Sequence, residues 1–85
     1  MTATQTNQAH TAQAIIACAF YNVTKAAMLD SAQLCLADAQ TLFCVGNMEA
    51  AARRALTSLR YSVGILDPTF AKAQALVTGT FTQEA

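Results

Sequence analysis

The chain has 85 residues, five basic and five acidic side chains and a formal net charge of +0, and 54% of it is hydrophobic. Charged residues make up 12%, about half the share usual in globular domains. That length caps the chain at one small domain, the apolar content argues against intrinsic disorder, and the missing surplus of Lys and Arg argues against electrostatic nucleic-acid binding.

The first 24 residues carry no formal charge. The apolar run from Ala14 to Phe20 is well short of the ~20 residues a membrane span needs, and no basic segment precedes it, so neither a signal peptide nor an anchor is expected. Cys18, Cys35 and Cys44 are an odd number without CxxC spacing, and His10 is the lone histidine. Buried free thiols in a reducing cytoplasm fit this better than disulfides or zinc. Residues 1–7 are expected to be flexible.

From Thr6 to Val45 there is neither glycine nor proline. Met28, Leu29, Ala32, Cys35, Leu36, Ala39, Leu42 and Phe43 recur in steps of three and four, opposite Asp30, Gln33, Asp38, Gln40 and Thr41. This is the pattern of an amphipathic helix. The stripe runs backward through Tyr21, Cys18 and Ile15, predicting one long helix over about 8–45. Asn22 or Thr24 can equally cap a second, separate helix.

Gly46-Asn47 supplies a helix stop followed by an N-cap. A second helix is predicted over about 48–66, with Met48, Ala52, Ala55, Leu56, Leu59, Val63 and Leu66 on its apolar side. Glu49 stands four residues before Arg53, the favourable order for a helical ion pair. Gly64 inside that helix implies a bend or the close approach of another helix. Asp67-Pro68 then gives an N-cap and first-turn proline for a short helix over about 68–78, closed by Gly79. Residues 80–85 are expected to fray, with Phe81 available to dock.

The expected fold is therefore all-α, a single small helical domain spanning 1–85. A two-residue turn makes an antiparallel hairpin of the first two helices, packed through Met28, Ala32, Cys35, Ala39, Leu42, Leu56, Leu59 and Val63. Nineteen residues of the chain are alanine, so its apolar content signals close helix packing more than a bulky core. The second helix, about 28 Å long, matches only residues 27–45 of the first. The projecting half leaves Ile15, Ile16, Phe20, Tyr21 and Val23 in need of cover, and with Phe70 and Val77 these residues are the expected interface.

Catalytic groups are sparse. His10 sits in a polar segment, no histidine lies near a cysteine in sequence, and the isolated glycines build no phosphate loop. Arg53, Arg54 and Arg60 read as a solvated face. No enzyme activity, cofactor or metal is expected. The expected partner is a second copy of the chain or another helical protein, and the expected role is structural assembly. A phasin-like coat on a hydrophobic surface is a further possibility.

The segment Ala3-Thr4-Gln5-Thr6-Asn7, the Ala-rich run with Phe20-Tyr21 and the stretch Ala37-Asp38-Ala39-Gln40 together resemble the small Reb proteins of bacterial R-bodies, the killing-trait family. That resemblance covers about residues 3–45 and implies short helical subunits that polymerise into coiled ribbons. The chain departs from the Reb pattern in lacking an Ala-Pro step before the aromatic pair and a Gln-Gln pair near Gln40. Separately, Leu36 to Ala73, with Gly46 at the turn, Ala51 and Ala55 in the second helix and Leu66-Asp67-Pro68 after it, is similar to a tetratricopeptide-type hairpin. That similarity implies an adaptor or secretion co-chaperone that binds a partner's peptide or helix. Its glycine-to-proline spacing is too long for that family, and there is no second repeat.

Overall fold

A computed structural model describes residues 3–25 and 29–81. Among them the chain is all-helical: α1 (Ala3–Asn22), a 3-10 turn (Val23–Lys25), α2 (Leu29–Cys44), α3 (Met48–Ser62) and α4 (Pro68–Phe81). No described residue is in a strand. Residues 3–7 and 80–81, expected to be loose, are helical. Met28, expected in the hairpin seam, lies outside the described residues.

The single long helix expected over 8–45 is corrected to two helices separated at the turn after Asn22. The Asn22 amide Nδ2 donates to the Cys18 carbonyl at 2.9 Å, giving one of the last carbonyls of α1 a partner. Val23 is buried beneath the turn. An unbroken helix would hold the stripe through Ile15 and Val23 in water, and the reversal buries both. The first half of the chain does not project. It folds back and packs along α3.

The α2–α3 connection follows the sequence closely. Gly46 has φ +89°, its N–H donates to the Phe43 carbonyl at 3.1 Å, and the Asn47 N–H donates to the Leu42 carbonyl at 2.9 Å. That pair of bonds is a Schellman motif, which needs the left-handed conformation glycine adopts without strain. Asn47 then caps α3, its Oδ1 accepting from the Ala50 N–H at 3.3 Å.

The end of α3 differs from expectation. The helix stops at Ser62 instead of continuing to about 66, because Gly64 takes φ +88°. Asp67 caps α4 by accepting from the Thr69 N–H at 2.7 Å, with Pro68 in the first turn. Gly79 does not close α4. It lies inside a helix that runs on to Phe81, anchored by the burial of Phe81 and by a 2.8 Å hydrogen bond between the Thr80 and Thr11 hydroxyls.

The four helices alternate in direction. Ser58 Oγ donates to the Ala32 carbonyl at 2.7 Å, and Arg54 reaches Asp38 at 2.8 Å, which fixes α2 and α3 as antiparallel. The Thr11–Thr80 bond, together with the groove that sets Ala14, Ile15 and Cys18 beside Thr69, Ala73 and Leu76, does the same for α1 and α4. In a square bundle α1 and α3 would be distant diagonal partners. Here they are packed neighbours, whereas α2 and α4 do not touch among the described residues. The bundle is collapsed along one diagonal, with α2 and α4 on opposite flanks, and it measures 38 × 25 × 16 Å.

Alanine explains the collapse. Eight of the fifteen residues in the buried cluster are alanines, among them Ala12 and Ala19 of α1 and Ala51, Ala52 and Ala55 of α3. Side chains this short let helix backbones approach closely. Ala32, Cys35, Ala39 and Leu59 are buried, and Leu42, Leu56 and Val63 are half-buried.

Candidate interaction surface

Alternating helix directions bring the last turn of α1, the first of α2, the last of α3 and the α3–α4 connection to one end of the bundle. Phe20 (64% exposed), Tyr21 (72%), Ile65 (58%) and Leu66 (94%) stand in solvent there, and Leu29 and Tyr61 are also exposed. The opposite end exposes only Val45 among the described large apolar residues. Ile65 and Leu66 are held outward by a built turn. Gly64 reverses the chain, the Asp67 N–H donates to the Gly64 carbonyl at 3.3 Å, and Asp67 is itself fixed as the cap of α4.

The outer side of α1 continues this surface. It exposes Asn7, His10, Gln13, Ala14, Ala17, Phe20 and Tyr21, and apart from His10 the helix carries no acidic or basic side chain. A cleft lies on either side of it. The cleft toward α2 has a volume of about 200 Å³ and is lined by Gln13, Ile16, Gln40, Phe43 and Cys44. The groove toward α4 has a volume of about 280 Å³ and is lined mainly by Ala14, Ile15, Cys18, Ala73 and Leu76, with Thr69 and Lys72 as its polar members.

Polar chemistry lies elsewhere. Arg53 pairs with Glu49 at 3.1 Å and Arg54 with Asp38 at 2.8 Å, all four side chains about half-exposed. The hydrogen bond to Asp38 pushes the high Arg54 pKa further up. The three cysteines are free. Burial pushes the Cys18 thiol up, partly opposed by its hydrogen bond with Asn22, which keeps it protonated at neutral pH and a weak nucleophile. No group of three His, Cys, Asp or Glu is placed to hold a metal ion among the described residues. No helix among them is long and apolar enough to cross a membrane.

The expected interface divides. Phe20 and Tyr21 are exposed together, and Ile16 is half-buried in the wall of the α2 cleft. Ile15, Val23, Phe70 and Val77 are corrected: each is buried in the chain's own core. The reversal after α1 and the return of α4 supply the cover that a projecting helix would have lacked. Sequence reasoning missed Ile65 and Leu66 as surface residues by keeping them in the helix. The signal was present, since Gly64 three residues before Asp67-Pro68 spells a turn.

No protein-family model, curated protein or solved structure matches the chain.

Proposed function

We propose that this chain is a non-catalytic helical assembly protein that associates with copies of itself through the outer side of α1 and the apolar end of the bundle. The observation that carries this is the concentration of six large exposed apolar side chains at one end, continuous with a helix that has no charge. Scattered apolar residues are normal on a surface, but a contiguous group of this kind marks an interaction site. A formal net charge of +0 adds no long-range repulsion between copies. Subunits of this size that need neighbours to cover them fit the ribbon-forming behaviour implied by the Reb resemblance. Three free thiols suit a reducing cytoplasm.

Sedimentation equilibrium from micromolar to millimolar concentration tests self-association. The expected result is a mass above 9.0 kDa that rises with concentration and falls back in Phe20→Asp, with helix content unchanged. A 9.0 kDa monomer throughout would overturn it. If that monomer became stable only beside a second protein, the adaptor role implied by the tetratricopeptide similarity would take its place.

A further inference from the structure

Resting on self-association, we infer that two copies pair through α1 in antiparallel fashion, each seating its Phe20 ring in the α1–α2 cleft of the other. Both halves of the contact lie on one stripe of one helix. Gln13, on the cleft rim, and Phe20 are seven residues apart, which places them on the same side of α1 and two turns, about 10.5 Å, from each other. Ile16 lies between them as the cleft's inner wall.

A two-fold contact must be self-complementary, with each copy offering both a projection and the recess that receives it. When antiparallel helices are related by a two-fold axis lying between them, the side of α1 that faces α2 meets the same side in the other copy. Matching residue 20 of one copy to residue 13 of the other puts that axis between Ile16 and Ala17. Phe20 then enters the cleft of the second copy, and the second Phe20 enters the first.

The occupant suits the recess. The cleft is about 200 Å³, walled by Ile16 and Phe43, and Phe20 is a large apolar side chain left 64% exposed at the matching level. The residues of α1 and of the cleft that meet at this contact carry no formal charge, so they do not repel their counterparts. Ala17 at the crossing permits close approach without providing the recognition. At this register residues 11–22 of the two copies lie side by side over about 18 Å, a contact at the small end of specific interfaces, so the pair is weak and concentration-dependent. The apolar end, with Ile65 and Leu66, stays outside this contact and is free to join pairs into larger assemblies.

The two-fold axis supplies the test, because it brings the exposed residue 17 of one copy beside residue 17 of the other while Phe20 stays in place. In Ala17→Cys, a mild thiol oxidant should join the two copies through one disulfide, which gives up two protons and two electrons to the oxidant. One link forms per pair, so the product closes at two chains, and peptide mapping finds the 17–17 link. Independently, Gln13→Glu places a carboxylate on the rim and should weaken association at least about tenfold while leaving helix content unchanged. An oligomer that forms no 17–17 link, or that ignores Gln13→Glu, overturns the antiparallel arrangement and leaves self-association standing. A chain that stays monomeric at every concentration overturns both.

Discussion

Helices α1 and α3 run side by side in the same direction and share the collapsed diagonal of the bundle, yet they treat solvent oppositely. Each contributes buried alanines to the shared core, Ala12 and Ala19 from α1 and Ala51, Ala52 and Ala55 from α3. Outward, α3 carries Glu49, Arg53, Arg54 and Arg60, three of them in ion pairs, Glu49 with Arg53 and Arg54 with Asp38 of α2, whereas α1 carries no Asp, Glu, Lys or Arg. Buried alanine sets how closely helices pack, and the outer residues decide whether a helix is finished by water or by another chain. α3 is finished by water, and under the proposed self-association α1 is finished by another copy.

The largest expected effect tests the α3 side. Leu59 is the largest fully buried side chain, and Leu59→Ala should cost about 3 kcal/mol in chemical unfolding, a large part of the total of order 4–13 kcal/mol for a chain of this length. Next comes one substitution made on both sides of the comparison. Ala55→Leu forces bulk into the close diagonal and should cost about 2 kcal/mol, while Ala17→Leu, on the exposed side of α1, should change monomer stability by less than about 0.5 kcal/mol. Equal losses at the two positions would break the contrast between the helices.

Ser58→Ala should have a smaller effect, about 1 kcal/mol. The buried hydroxyl donates across to the Ala32 carbonyl at 2.7 Å, and that carbonyl sits inside α2, where the helix supplies its other hydrogen bond. Losing the hydroxyl therefore forfeits a second bond to the acceptor and leaves no orphaned group. A loss well above this would mean that Ser58 sets the spacing of α2 and α3 by itself.

How much of this was legible in the sequence depended on whether the signal was local. Gly46-Asn47 and Asp67-Pro68 are turn and cap chemistry decided within four residues, and the structure uses both as the sequence spells them. The hairpin side of α2 was legible because its apolar period persists through Ala32, Leu36 and Ala39. The reversal after Asn22 was not, because Val23-Thr24 carries no glycine or proline and the turn is held by tertiary burial of Val23. With that reversal hidden, Ile15, Val23, Phe70 and Val77 looked uncovered. Ala51 and Ser58 were missed as core for a related reason: hydropathy gives little weight to an alanine or a serine, and it is smallness that the diagonal selects. Phe20 and Tyr21 were expected to lack cover because the second helix was too short to reach them, and they are exposed although the projection that motivated the expectation is absent.

The smallest effect sharpens the comparison furthest, because salt acts on the two helices in opposite senses. The Arg54–Asp38 pair on α3 is short, at 2.8 Å, but its side chains are 41% and 48% exposed. A double-mutant cycle with Arg54→Gln and Asp38→Asn should give a coupling of about 0.5 kcal/mol at low salt, approaching zero near 1 M, where the screening length is about 3 Å. Association through α1 has no ion pair to screen, and its apolar contact should hold or tighten in the same series, most clearly with sulfate, which strengthens apolar burial. Sedimentation at each salt concentration reads the second quantity while unfolding reads the first. If salt dissolved the assembly together with the α3 pair, charges would be holding copies together, and the contact would have to be sought on α3 instead of α1.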